Sequence, residues 1–233
     1  MQISTQASQV TMSHVARVAP QRAANPDALD LLEQFGTTVR LVRDHEIHAE
    51  DADAEYCYRV LSGCVRTVRL MEDGRRQVGE FLLAGDLFGL DDLGTHAFAA
   101  EAVTEVMLRR YPRRMVEALA ESHPALGRRL RELALTHLRA AYERMVLLGR
   151  KTATERLASF ILEMDRRHAA SSNGMLELPM SRTDIADHLG LTVETVCRVL
   201  ALLKRDGTIY VSRSGFRLLN RASLRDLACE MRH

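Results

Sequence analysis

The stretch Arg182-Thr-Asp-Ile-Ala-Asp-His-Leu-Gly-Leu-Thr-Val-Glu-Thr-Val-Cys-Arg-Val-Leu-Ala201 decides the reading of this chain. It predicts two short helices joined by a tight turn. Ile185, Ala186 and Leu189 fall on one helical face. Gly190 breaks that pattern where the backbone needs a left-handed conformation. Leu191 fills the corner, and Thr192 is placed to cap the next helix through its hydroxyl. Val196, Val199 and Leu200 restart the apolar stripe at helical spacing. Small Ala186 sits where the two helices cross closely. Val193, Glu194, Cys197 and Arg198 are left facing outward. A helix-turn-helix needs this division: an apolar underside holds the second helix, and a polar upper side enters the DNA major groove. An ordinary helical hairpin shares the spacing. The added glycine, capping threonine and Glu–Arg pair on the free face favour DNA.

Working outward, 233 residues suffice for one large or two modest domains, and 46% hydrophobic residues support a core. No stretch approaches the roughly 20 apolar residues of a membrane helix. Residues 1–26 are polar and unpatterned, which predicts a flexible tail with no signal peptide and a cytoplasmic protein without a membrane partner. Net charge is +1, from 32 basic and 31 acidic residues, so any nucleic-acid footprint must be local. Such a signal exists: Arg198, Lys204, Arg205, Arg213, Arg217 and Arg221 cluster near the C-terminus. Cys57, Cys64, Cys197 and Cys229 are scattered without C-x-x-C spacing and predict free thiols and no metal site.

A short helix is expected after Pro26. From Phe35 to Tyr111, alternating runs such as Tyr56–Leu61 and Cys64–Leu70 are separated by Ser62-Gly63, Glu72-Asp-Gly74 and Ala84-Gly-Asp86. This predicts an antiparallel β-barrel or jelly roll over residues 27–121. Pro112 to Glu121 predicts a short helix, and Pro124 opens a long one within a dimerisation segment, 122–150. Its seam is read as Leu126, Leu130, Ala134, Leu138, Ala141, Met145 and Leu148. The later spacings alternate four and three, which predicts a partner helix and a homodimer. Residues 151–233 are expected to form the DNA-binding unit. It contains a helix from Thr152 to His168, a loop at Ala169–Gly174, the motif, a hairpin wing over Ile209–Leu218 and a last helix from Arg221 to Met231. The fold class is therefore α+β.

This order resembles the CRP/FNR superfamily of bacterial transcription regulators over about residues 30 to 230. Leu191–Arg198 is similar to the FNR-type recognition helix, in which glutamate is followed by two residues, serine and arginine. Glu194 and Arg198 match, and Cys197 stands at the serine position. Glu80–Leu90 and Ala97–Val103 resemble the FixK branch, which controls low-oxygen respiration and nitrogen-fixation genes. The resemblance implies Glu194, Arg198, Cys197 and Val193 at the bases. It implies phosphate contacts from Ser181, Arg182, Thr192 and Thr195, a TTGAT- or TTGAC-like inverted repeat, and RNA polymerase as a partner. Arginine reads guanine O6 and N7 in pairs, and a carboxylate accepts from exocyclic amines. Glu194 is also placed to hold Arg198.

The cyclic-AMP branch grips its phosphate with an arginine. The aligned stretch here, His96–Ala102, has none and carries Glu101, so no cyclic AMP is expected. No cofactor is expected at all. Residues 1–56 lack the cysteines of an iron–sulfur centre, and His45, His48 and His96 read as surface histidines, not haem ligands. Cys197 is a candidate redox site, since it lies beside Arg198 near a helix N-terminus, but a small residue tolerated at a serine position is the favoured reading, because the sequence offers no resolving thiol. The alternative function is a small-molecule or redox sensor whose barrel ligand or Cys197 oxidation switches DNA binding. No nucleophile–base, Walker or H-E-x-x-H motif suggests an enzyme.

Overall fold

A 3-10 helix, Ala28–Phe35, opens the structure and is capped by the Asp27 carboxylate. The computed structural model describes residues 27–90, 94–167, 175–212 and 215–228. The expected tail at 1–26, the loop at 169–174, Arg213 of the wing, Cys229 and the end of the last helix at Met231 lie outside the described residues.

Eight strands follow: β1 (Thr37–Leu41), β2 (Glu46–His48), β3 (Tyr56–Ser62), β4 (Cys64–Leu70), β5 (Arg76–Leu83), β6 (Leu87–Phe88), β7 (Ala99–Ala102) and β8 (Val106–Pro112). They form two four-stranded antiparallel sheets, ordered β1-β8-β3-β6 and β2-β7-β4-β5. Val60, Val65, Leu82, Phe88, Ala100, Ala102 and Leu108 fill the space between them. Among the described residues no ladder joins the two sheets, so the barrel is an open jelly roll. His96 is no surface residue: it is 2% exposed. Its ring stacks on His48 at 3.6 Å, and Tyr58 and Phe88 extend the stack.

Helix α1 (Arg113–Ser122) leads into α2 (Pro124–Arg150), a 27-residue helix about 40 Å long. Leu126 is fully buried against Leu29, Leu32 and Tyr111, and Leu130 packs on the same cluster. Both were expected in the dimer seam, but they anchor α2 to its own jelly roll. Leu148, the far end of that seam, is half-buried.

Beyond α2 lie α3 (Ala153–Arg167), β9 (Leu176–Glu177), α4 (Arg182–Leu189), α5 (Val193–Arg205), β10 (Ile209–Val211), β11 (Gly215–Leu218) and α6 (Arg221–Leu227). The wing has a third strand, since β9 pairs with β11. The two approach so closely that a Cβ on Gly215 would lie 1.9 Å from the Leu176 carbonyl oxygen, which only glycine avoids. One apolar cluster runs from the jelly roll into this unit, joining Val78 and Phe81 to Phe160, Met164, Ile185 and Leu189.

His188 on α4 closes this junction between the Phe81 and Phe160 rings. Burial, with the nearby Arg144 cation second, pushes its pKa down to about 3. It is therefore neutral in the fold, whereas an unfolded histidine takes up a proton below about pH 6.5. Stability is thus lost as pH falls from about 6.5 toward 3, and by pH 5 the loss reaches about 2 kcal/mol. Urea unfolding at pH 7 and pH 5 should show this drop, and His188→Gln should remove most of it.

Candidate nucleic-acid interface

The turn geometry is set locally. Ser181 caps α4: its Oγ accepts from the Asp184 backbone N–H at 3.1 Å. The Asp184 carboxylate accepts in return from the Ser181 N–H at 3.0 Å and its hydroxyl at 2.7 Å. This reciprocal box satisfies helix-start donors that otherwise lack partners. Gly190 ends α4 at φ 60°, ψ 43°, a left-handed conformation that costs other residues free energy. Thr192 then caps α5, its hydroxyl oxygen accepting from the Thr195 N–H at 3.2 Å. Val196, Val199, Leu200 and Leu203 hold α5 to the core.

The free face of α5 carries Glu194, Cys197 and Arg198, all exposed. The Glu194 carboxyl lies below its usual pKa because its own backbone N–H and the Thr192 hydroxyl bond to it. Arg198 donates from Nη2 to the Thr195 hydroxyl at 3.4 Å. Thr195 therefore braces Arg198. The expected Glu194–Arg198 brace is not formed, because the Glu194 carboxylate is turned back onto the helix start. Val193 was expected outward, but it is half-buried and packs on the core, since the helix-start position points it back toward α4.

The four expected phosphate-contacting residues divide. Thr192 is exposed and Thr195 half-buried beside it. Ser181 is exposed, yet its hydroxyl already serves the cap. Arg182 is tucked inward, with its guanidinium 5.9 Å from the Phe216 ring of the wing. Its Nη1 is buried without a hydrogen-bond partner among the described residues. Burial lowers the Arg182 pKa, and the nearby Cys197 sulfur partly offsets this. The thiols differ: Cys57 and Cys64 are buried, while Cys197 is exposed on the reading face. Burial raises both inner thiols to about 12.

Along α2, Leu138, Met145, Ala134 and Ala141 of the expected seam are exposed. Leu135, Tyr142 and Val146 join them. These three were missed because the expectation followed a single stripe. The helix instead carries two at the same spacing. Leu126, Leu130, Leu133 and Leu147 face the chain's own core, and the exposed set faces away.

Sequence reading also missed the groups that tie this unit to the jelly roll. Asp184, 2% exposed, accepts from Arg66 Nη1 at 3.0 Å and Arg76 Nη2 at 2.8 Å. Arg76 Nε also donates to Asp187 at 2.8 Å, and Gln77 Nε2 donates to the Asp187 carbonyl at 2.8 Å. The serine–aspartate spacing of a capping box was the available signal for Asp184. Its distant arginines left none.

The Crp-like helix-turn-helix domain matches residues 155–227, and the cyclic nucleotide-binding domain matches residues 38–123. The nitrogen fixation regulation protein FixK of Azorhizobium caulinodans is 44% identical over 220 residues, covering 92% of this chain and 88% of that protein. The chain belongs to the CRP/FNR family of transcription regulators. This FixK-type, DNA-binding regulator is also 38% identical to the nitrogen fixation regulation protein FixK of Bradyrhizobium diazoefficiens, over 87% of each chain. The structure of FixK2 from Bradyrhizobium japonicum superposes with a TM-score of 0.80 at 44% identity, covering 84% of this chain and 99% of that one. The shared fold extends to a transcriptional regulator from Thermus thermophilus, at TM-score 0.69 and 29% identity over 82% of this chain and 97% of that one. No helix among the described residues is long and apolar enough to cross a membrane.

Proposed function

We propose that this regulator works as a homodimer, mainly as an activator. It reads a TTGAT- or TTGAC-like inverted repeat and recruits RNA polymerase at genes for low-oxygen respiration or nitrogen fixation, with no need for cyclic AMP. The observation that carries this reading is the exposed Glu194–Arg198 face, held on a helix with both ends fixed. Arg198 donates to guanine O6 and N7, and Glu194 accepts from a cytosine or adenine amine. Thr192 and Thr195 contact the backbone at the helix start, where N–H groups favour phosphate. In a two-fold dimer the reading helices lie about 34 Å apart. The physiological role follows the FixK relatives named for nitrogen fixation. Within His96–Ala102 the only carboxylate, Glu101, is paired with Arg66 at 2.6 Å, and no cation in that stretch is available for a phosphate.

Selection of bound duplexes from a random pool tests the reading. A palindrome of TTGA half-sites is expected without added nucleotide. An asymmetric consensus, or none, overturns it.

The dimer interface is the exposed stripe of α2, where Leu138 is 48%, Tyr142 59% and Met145 65% exposed. Monomeric proteins seldom leave such a contiguous patch uncovered. Sedimentation at micromolar concentration should give twice the 26.2 kDa chain mass. Leu138→Lys should give the chain mass alone and weaken operator binding by at least about a hundredfold, because bivalent binding is lost. A dimeric Leu138→Lys protein would place the interface elsewhere.

A further inference from the structure

Arg156, on the first turn of α3, sits where three helix ends meet. Its Nη2 donates to the Leu148 carbonyl at 2.8 Å and its Nε to the Lys151 carbonyl at 2.9 Å. Leu148 lies in the last turn of α2, and Lys151 is the residue that caps its end. Its Nη1 donates to the Leu189 carbonyl at 2.9 Å and the Gly190 carbonyl at 3.4 Å. These end α4 at the turn into the reading helix. Helix C-termini leave carbonyls unpaired and carry partial negative charge, so one cation between two of them is favoured twice. The rigid guanidinium fork suits this, since its donors lie in one plane at fixed angles.

No described carboxylate pairs with Arg156; every hydrogen bond it makes goes to main chain. A guanidinium held that way fixes backbone to backbone. Direct packing adds to the joint, because a Cβ on Gly190 would lie 3.4 Å from Arg156 Nη1 and 3.5 Å from Leu148 Cδ2. Lys151 extends it by donating from Nζ to the Ala228 carbonyl at 2.9 Å and to the Ser159 hydroxyl at 2.7 Å.

We propose that Arg156 is a positioning residue that sets the operator spacing the dimer accepts, by locking the end of α2 to the Gly190 turn. The proposal rests on the dimeric, palindrome-reading function above. The logic is mechanical. The outer face of α2 lies on the two-fold axis, and α5 begins just beyond Gly190. A rigid link between α2 and Gly190 therefore fixes the distance and rotation between the two reading helices. One inserted base pair moves a half-site by about 3.4 Å and turns it by about 35°. A rigid dimer cannot follow that change, and a loosened one can.

The test measures binding to a series of selected palindromes with the spacer lengthened or shortened by one and two base pairs. Wild type should lose about a hundredfold for one inserted pair, the scale of forfeited bivalency. Arg156→Ala should bind the best spacer about tenfold more weakly yet lose less than about fivefold on insertion. Half-site preference and dimer mass should be unchanged. Arg156→Lys, which keeps the charge but reaches one helix end, should fall between.

A role in stability alone would weaken binding equally at every spacer. A spacing curve for Arg156→Ala parallel to that of wild type therefore overturns the proposal. Should the alanine protein melt below the assay temperature, Arg156→Lys decides in the same way. Wild type that selects no palindrome would mark failure of the underlying function, whatever the variants do.

Discussion

Arg198→Ala is expected to lose the preference for guanine at the half-site position that Arg198 reads. The side chain is exposed on α5 and among the described residues its guanidinium is braced by Thr195 alone, so removal leaves no unpaired buried group there and the fold should persist. What disappears is the two-pronged donation to guanine, worth about 1–3 kcal/mol per contact. In a dimer both half-sites lose it, which amounts to roughly 30-fold to 10⁴-fold in the ratio of operator to random duplex. Residual binding should remain weak and fall steeply with salt, because phosphate contacts are untouched. Titration of operator and scrambled duplex at two salt concentrations measures both quantities. An undiminished preference for guanine at that position would mean that Arg198 does not read a base.

The parts of the molecule legible in sequence are those built from neighbours. The Ser181 and Thr192 caps, Gly190 and the buried stripe of α5 all act within a few residues, so the motif is written in adjacent side chains. The long helix was legible for the same reason, but its faces were not. Its two stripes share one spacing, and only the tertiary fold decides that Leu126 and Leu130 turn inward while Leu135 and Tyr142 turn outward. Openness of the jelly roll was invisible too, because alternation specifies strands but not whether a last ladder forms. Arg156 speaks only to carbonyls, which every residue carries, so no side-chain pattern could announce it. Arg66 and Asp184 are 118 residues apart, and nothing in either segment names the other.

That long-range pair yields the largest expected stability effect. Asp184→Ala should cost about 3–5 kcal/mol, the penalty for removing one partner of a buried ion pair. The carboxylate is 2% exposed and serves two jobs at once. It completes the α4 cap, a loss of about 1 kcal/mol alone, and it neutralises Arg66 and Arg76 on adjacent strands of the jelly roll. Burial by itself would raise the Asp184 pKa. The bonds from Ser181 and the charges of Arg66 and Arg76 outweigh burial and hold it below the ordinary value. Its contribution is therefore complete at neutral pH and is lost only as the solution becomes more acid than about pH 4. For a chain of this size the substitution should lower the melting temperature by roughly 6–20 °C at pH 7, and by less at pH 3, where part of the carboxylate's contribution is already lost. Asp187→Ala supplies the contrast, since its more exposed pair with Arg76 should be worth less than about 1 kcal/mol. Equal costs for the two variants would show that the charge on Asp184 is not what joins the reading unit to the jelly roll. The shared apolar cluster around Val78, Phe81 and Ile185 would then carry that joint by itself.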